Sequence, residues 1–376
     1  MHLSQPREEI RNAEPGTRHA KRARSMPLRG GLAWLLFCFV LLLPSVGHAN
    51  EERGDPAARL LPGDSASEHW EFTARFESGH LLFVEFLITN IGLGERNAAA
   101  AWYLVTPEGK THRTSNGRRA RHWTLASDGL RLEIGASVLD LHAPAYQLHL
   151  DKKSMRVSLR LRPDPVAAWS EQAVLSGYAI DLLAAAVPIE GTLWGKGMKT
   201  PLLVKGTVAV THSWSNEAGS SLIRRRVEFF SLQEENPFYG VELTAPNGTQ
   251  AQWVMARPSG GEKYDSRSVE WALDGRAKEL RESGYEVPAT VRMKNGELEG
   301  QARLAPVLLR ADPFIDIPRP FRFVVSTALD LRPRRVWALA PYELSFSSTT
   351  QKQAVLHLQG TGVTAVTFLN PMPPQP

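Results

Sequence analysis

The chain has 376 residues, enough for two ordinary domains or one large one. With a single cysteine, Cys38, it can form no internal disulfide. The first 49 residues hold 7 of the 44 Lys and Arg and 3 of the 39 Asp and Glu. The remaining chain therefore has 37 basic and 36 acidic residues, and this near-neutral charge does not support nucleic-acid binding.

The N-terminal 49 residues have the pattern of a secretory signal peptide. Basic residues at 18–29 precede an apolar run from Leu32 to Leu43, and a small-x-small motif ends at Ala49. The run is shorter than the about 20 residues that a membrane-spanning helix needs. We therefore expect cleavage after Ala49 and a periplasmic or secreted protein without cysteine. The alternative is an uncleaved membrane anchor formed by residues 32–46.

Beyond the leader, the composition predicts a linker and then β-structure. Residues 50–66 are polar and contain two Gly and two Pro, which is typical of a linker. Short apolar or alternating runs follow, separated by Asn-Gly and Asp-Gly pairs that supply the positive φ of tight hairpins. The predicted strands include Leu81–Thr89, Met155–Leu161, Val227–Leu232 and Phe321–Leu331. Many short strands at this spacing predict antiparallel sandwiches or barrels.

Helical signals are few. The best candidates are Ser268–Glu282, which Gly275 interrupts, and Ala167–Val174. Neither shows a convincing apolar period of 3.6 with caps. The simplest organisation is therefore all-β, with one domain at 67–216, a second at 217–370, and a Pro-rich tail at 371–376.

The segment from Val208 to Asn216 is the most informative stretch. It begins as an alternating strand and ends with His212 and Trp214, which share a face because side chains at i and i+2 point the same way. Val208 and Val210 lie behind them on that face. An imidazole beside an indole on an apolar face indicates either a polar anchor in a binding cavity or a satisfied core histidine.

Other chemistry is sparse. The histidines lack close partners, so no metal site is predicted, and no phosphate loop or Gly-x-Ser-x-Gly elbow appears; we expect no cofactor. Residues 224–226 are three consecutive arginines, which form a solvated face or place one Arg against Glu228 or an anionic head group. An acid/base pair could assemble in space from the carboxylates Glu68, Glu85, Asp181 and Glu228.

Four segments together resemble a known family. They are Glu68–Thr73, Lys205–Trp214, Val227–Gln233 and Ser283–Pro288. Their order resembles the two-domain lipocalin-like proteins related to carotenoid hydratase (hydroxyneurosporene synthase) and the AttH proteins. The resemblance implies two lipocalin-like antiparallel β-barrel domains packed together, with an apolar cavity in or between them.

The chain departs from the family beside the central histidine. Where the family often has Asp before the His and Gly after the Trp, this chain has Thr211 and Ser215. The family's acid is expected to protonate an isoprenoid double bond, and Thr has no proton of suitable acidity. The resemblance therefore implies the fold and the cavity more strongly than it implies hydration.

Three functions remain open from the sequence. The first is an exported binding module for a small apolar ligand, a lipid or isoprenoid. It is not expected to bind nucleic acid, and a peripheral contact with a membrane is possible. Its predicted ligand-binding residues are Glu68, Trp70, Trp194, His212, Trp214 and Glu228. The second is a hydratase, isomerase or lyase with His212 as acid/base, helped by Glu228 or Glu68. The third is a structural envelope protein whose barrels are filled by side chains.

Overall fold

The structure is a computed structural model. It describes residues 54–91, 96–163, 169–175, 177–196, 198–257, 263–275, 285, 287–312, 333–347 and 355–369. The predicted signal peptide, the predicted strand Phe321–Leu331 and the C-terminal tail lie outside these ranges. Within them, none of the helices has the length and apolar character of a membrane span.

The first half forms one large antiparallel sheet, which curls into a nearly closed barrel. Its strands are β1 (Ser67–Phe76), β2 (Leu81–Thr89), β3 (Asn97–Val105), β4 (Thr111–Arg118), β5 (Trp123–Leu125), β6 (Arg131–Ile134), β7 (Ser137–Asp140), β8 (Tyr146–Lys152), β9 (Met155–Leu161), β10 (Trp169–Leu175), β11 (Tyr178–Gly195) and β12 (Leu202–Ser215). The hydrogen-bonded order is β4-β3-β2-β1-β12-β11-β9-β8-β7-β6-β5, and β10 pairs with β11. A 3-10 turn, Ala120–His122, precedes β5.

The second half forms a second curled antiparallel sheet, a half-barrel over the described residues. Its strands are β13 (Arg225–Phe230), β14 (Phe238–Thr244), β15 (Gln250–Ala256), β16 (Tyr264–Ser266), β17 (Glu270–Asp274), β18 (Thr290–Lys294), β19 (Leu298–Arg303), β20 (Val307–Ala311), β21 (Arg334–Ser347) and β22 (Val355–Phe368). The order is β16-β15-β14-β13-β22-β21-β19-β18-β17, and β20 pairs with β21. A one-turn helix, α1 (Gly219–Leu222), lies between the two sheets in the chain.

Alternation of side chains decides what each strand buries. In β9, Met155, Val157, Leu159 and Leu161 are buried, and the residues between them are exposed. Strands with one apolar face bury it inside a barrel and leave the other face to solvent. The interior of the first barrel is filled in this way by apolar side chains.

The strands nearest the second barrel bury both faces. On the outer face of the first sheet, Phe83 and Tyr103 pack against Trp337 of the second, with ring centroids 5.0 Å and 5.6 Å apart. The two barrels therefore share a core in addition to their own interiors. Odd-numbered residues of β1, and of β12 from Thr207 onward, lie on the face towards the second barrel, and even-numbered residues face the interior of the first barrel.

The predicted fold class is confirmed: the chain is all-β, with two lipocalin-like antiparallel barrels packed together. The two helical signals were wrong where the structure describes them. Trp169–Leu175 is β10 and Glu270–Asp274 is β17, because each segment completes a hydrogen-bonded ladder with a neighbouring strand. Weak local propensity yields to such pairing.

Candidate functional site

A buried histidine–carboxylate pair lies at the end of the first barrel where β1 begins and β12 ends. His212 Nε2 is 2.8 Å from Glu68 Oε1, and the two side chains are 0% and 2% exposed. The register explains the contact: Trp70 lies directly opposite His212 and Glu68 opposite Trp214, so Glu68 reaches His212 along a diagonal.

Two tryptophans hold the imidazole ring. Trp70 stacks on His212 with ring centroids 4.7 Å apart and an interplanar angle of 11°. Trp214 approaches the same ring at 5.0 Å and 48°. The prediction that His212 and Trp214 share an interior face is confirmed, and the stacked rings fix the orientation of the imidazole.

A second carboxylate faces the pair from β11. Asp181 lies directly opposite His212 in the ladder between β11 and β12, and its side chain is 1% exposed. Its carboxylate is 3.9 Å from the guanidinium of Arg59. Asp181 was one of four carboxylates that could have formed an acid/base pair, but the sequence did not indicate that β11 would place it here.

The site is covered by residues 55–60, which we call the capping segment. The carbonyl oxygen of Asp55 lies 3.0 Å from His212 Nδ1, and that of Pro56 accepts a hydrogen bond of 3.0 Å from Trp70 Nε1. The Glu68 carboxylate accepts backbone N–H bonds from Arg59 and Leu60 at 2.9 Å and 3.2 Å. The predicted linker residues thus have defined partners inside the barrel.

The hydrogen bonds of His212 define its chemistry. Its Nδ1 faces a backbone carbonyl, which can only accept, so Nδ1 carries a hydrogen. Its Nε2 faces a carboxylate oxygen at 2.8 Å, and one proton lies between them. The pair can therefore give or take a proton at Nε2 or at Glu68. Over the described residues, no three His, Cys, Asp or Glu side chains are arranged to hold a metal ion.

Two predicted site residues lie elsewhere. Trp194 is next to the interior residue Leu193 in β11 and points outward, where the guanidinium of Arg156 lies 5.2 Å from its ring. Glu228 belongs to β13 in the second barrel, on the face towards the first. Neither contributes to the His212 cluster.

Glu228 is part of a separate buried ionic cluster between the barrels. Its carboxylate lies 3.0 Å from Arg226 and accepts a hydrogen bond of 3.1 Å from the Tyr239 hydroxyl. Burial raises the pKa of Glu228, and Arg226 opposes that shift. Of the alternatives for residues 224–226, Arg226 follows the pairing with Glu228 and not the solvated face, and the pair lies in the shared core of the two barrels and not at a cavity mouth.

An open groove of about 520 Å³ adjoins the capping segment. Ala58 and Leu60 line one side, and Trp123 with residues 125–129 lines another. The backbone N–H of Ala58 donates to the Gly129 carbonyl at 3.0 Å, which ties the segment to this rim. The groove gives the outer side of the capping segment access to solvent.

Solved structures with the same fold place the chain among known proteins. The AttH protein from Nitrosomonas europaea matches with a TM-score of 0.56 and 12% identity, over 82% of this chain and 94% of that one. Kievitone hydratase from Nectria haematococca matches with a TM-score of 0.56 and 11% identity, over 85% of this chain and 94% of that one. CghA, solved with Sch210972, matches with a TM-score of 0.57 and 13% identity, over 85% of this chain and 98% of that one.

The chain has the AttH-type fold. The resemblance to AttH and hydratase-like proteins that the four sequence segments suggested is thereby confirmed at the level of the fold. No protein-family profile and no curated protein sequence matches the chain. The shared architecture is therefore visible in the arrangement of strands, at sequence identities of 11–13%.

Proposed function

We propose that this protein is an exported, lipocalin-like binding protein that takes a small, mainly apolar ligand at the His212 end of the first barrel. The observation that carries the proposal is the buried His212–Glu68 pair between Trp70 and Trp214. Burying a polar pair in an apolar interior is costly unless it is well partnered, and a purely structural core would do as well with apolar side chains.

The surroundings of the pair indicate the class of ligand. The barrel interior next to it is apolar, and two indole rings flank the imidazole. Sites for small molecules are typically mostly apolar, with a few polar groups that fix orientation. Among the structures of the same fold, CghA was solved with a small molecule, Sch210972, which supports the view that this architecture can hold one.

Ligand entry requires the capping segment to move. In the folded chain, residues 55–60 make the hydrogen bonds to Trp70, His212 and Glu68 that a ligand would make. The groove beside Ala58 and Leu60 offers a route by which a ligand can reach the covered site. The closed and open forms of the segment are thus the unbound and binding-competent states.

Native mass spectrometry tests the binding function. The mature chain is purified from its own cell envelope, and bound molecules are extracted and identified. We expect one small apolar molecule per chain, with occupancy reduced in His212→Ala and retained in the control His149→Ala, whose histidine is exposed on β8. If the purified protein carries no ligand and binds neither fluorescent fatty-acid nor polyene probes, this function is excluded. The remaining interpretation is a structural protein whose barrels are filled by side chains.

A hydratase, isomerase or lyase activity is the second candidate. It is favoured by the single proton between His212 Nε2 and Glu68, since an acid/base catalyst needs a transferable proton next to its substrate. Kievitone hydratase, one of the solved structures of this fold, is a hydratase by name. The activity is tested by incubating the extracted ligand with the protein and measuring water addition or isomerisation. His212→Ala should lower turnover by about 100-fold or more, whereas a carrier shows no turnover to lose.

Export is tested separately. Cell fractionation should place the protein in the periplasm or medium, and N-terminal sequencing should begin at Asn50. A mature protein that retains residues 32–46 and sediments with membranes would favour the anchored alternative.

A further inference from the structure

Arg59 of the capping segment occupies a position that suits a cation. Its guanidinium carbon lies 3.8 Å from the centroid of the Trp214 ring, and Nη2 is 3.9 Å from the Asp181 carboxylate. An aromatic face with a buried carboxylate beside it attracts a flat cation through the ring quadrupole and through charge. The Arg59 side chain is 28% exposed, so it rests at the edge of the site, near solvent.

The groups that receive Arg59 belong to the barrel wall and stay when the segment moves. Trp214 lies on β12, Asp181 on β11 and Glu68 on β1. The two carboxylates are 1% and 2% exposed, and buried carboxylates are costly unless cations or hydrogen-bond donors face them. The capping segment supplies one cation and two backbone donors. A purely apolar ligand that displaced the capping segment would remove this cation and these donors and put nothing in their place.

The segment is held by these polar contacts and by the packing of Ala58 and Leu60 against the core of the first barrel. Asp55 is exposed, and the residues from Pro56 to Leu60 are only half buried. A ligand that restores the polar contacts and also covers this apolar surface can therefore compete with the segment.

We infer that the ligand of this site carries a cationic head group, guanidinium or ammonium, on an apolar body, and that it binds by taking the place of Arg59 on Trp214 and Asp181. The inference rests on the proposed function and names its class of ligand. Trp214 and Asp181 then determine specificity for the head group, while the apolar body lies against Trp123 and Leu125 of the adjoining groove.

Calorimetric titration with matched ten-carbon probes tests the head group. Decylguanidinium, decanol and decanoate share one tail and differ in charge, and each is added below its aggregation concentration. We expect decylguanidinium to bind about tenfold or more tightly than decanol, and decanoate to bind most weakly. Hydrogen exchange at the amides of Arg59 and Leu60, which donate to Glu68, should become faster in the complex because these bonds are broken.

Variants separate this site from unspecific binding of a cationic amphiphile. Arg59→Ala removes the internal competitor and should tighten decylguanidinium binding several-fold. The matched control Arg156→Ala also removes an arginine from a tryptophan face of the same barrel, at 5.2 Å, and should leave binding unchanged. Asp181→Asn should abolish the preference for the cation while decanol still binds.

Each outcome decides between the claims. Equal affinity for decanol and decylguanidinium would overturn the cationic head group and leave the apolar binding function standing. Tight binding of decylguanidinium with the Arg59 and Leu60 amides still protected would overturn displacement. Absence of binding by all three probes, in Arg59→Ala as well as in the unmodified chain, would overturn both this inference and the proposed function.

Discussion

Glu71 lies directly opposite Thr211 in the ladder between β1 and β12, and its carboxylate crosses the interface to pair with Arg226 and Arg335 of the second barrel. Position 211 therefore faces the second barrel, whereas His212 faces the interior of the first. The acid that the family resemblance places at 211 would lie on the opposite side of the strand from the imidazole. In this chain the carboxylate opposite position 211 is Glu71, which shares Arg226 and Arg335 with Glu228.

The ion pairs of Glu71 should be important for holding the barrels together. Glu71→Gln removes one of two buried carboxylates and leaves two arginines, 7% and 8% exposed, with the single negative charge of Glu228. Breaking a buried pair in this way typically costs about 3–5 kcal/mol, because a buried charge loses its partner. We expect a loss of this size in the free energy of unfolding, measured by urea denaturation.

A surface pair provides the control for Glu71. Glu299 lies 3.6 Å from Lys294, and the two side chains are 76% and 66% exposed. Glu299→Gln should change the stability by about 1 kcal/mol or less. Equal effects of the two substitutions would show that the interface pairs contribute no more than solvated ones.

Two tryptophans that the sequence assigned to one site should differ in their contribution to stability. Trp70 is 1% exposed, stacks on His212 and donates to the Pro56 carbonyl. Trp70→Ala should cost about 3–5 kcal/mol, as large-to-small changes in cores do. Trp194 is half buried on the outer face, and Trp194→Ala should cost clearly less. Thermal denaturation of both variants checks the difference, and similar losses would contradict the assignment of faces.

Glu85 should contribute to loss of stability in acid. Burial opposes ionisation, but His69 Nδ1 at 2.7 Å from its carboxylate lowers the pKa of Glu85 below the usual 4.5. The folded chain then holds this proton less tightly than the unfolded chain does. The group therefore stabilises the fold above about pH 4.5, and this contribution is lost as the pH falls through the folded pKa.

The substitution Glu85→Gln removes this titration. The free energy of unfolding of the variant should fall less steeply than that of the unmodified chain between about pH 5 and pH 3. Urea denaturation at a series of pH values measures the two slopes. Identical slopes would mean that Glu85 titrates alike in the folded and unfolded chains.

Residue alternation explains how much of the fold the sequence could predict. The alternating run in Met155–Leu161 and the spacing of His212 and Trp214 assigned faces correctly, because a strand's period of two is a local property. Glu228 and Trp194 were also assigned to the His212 site, but no alternation pattern supported that grouping. Alternation gives a face of a strand, but it does not say which barrel, or which side of a barrel wall, that face belongs to.

The rest of the candidate site depends on tertiary contacts that leave no local pattern. Asp181 meets His212 only through the register of β11 and β12, and β11 is an 18-residue strand with bulges at 182–187. The capping segment contacts His212 across 157 residues of sequence through a backbone carbonyl, which every residue possesses. Polar composition and two prolines therefore predicted a linker where the structure has an ordered cover.

The central claim is that the His212 end of the first barrel binds a ligand once residues 55–60 move away. A reversible disulfide tests it most directly, since the only cysteine of the chain, Cys38, lies in the predicted leader. A Cβ placed on Gly129 would lie 3.3 Å from the Cβ of Ala57, close to the about 3.5–4.5 Å of a disulfide. In Ala57→Cys/Gly129→Cys, the oxidised protein holds the capping segment in place, and the reduced protein releases it.

Calorimetric titration of the two forms with decanol and decylguanidinium gives the answer. Gly129 has a φ of +75°, which a cysteine tolerates poorly, and a Cβ there would lie 3.0 Å from the backbone nitrogen of Ala58; both forms of the variant carry this strain. We predict that the reduced protein binds a probe and the oxidised protein does not. Equal affinity in the two forms would contradict a site beneath the capping segment, and binding by neither form would contradict the ligand-binding function.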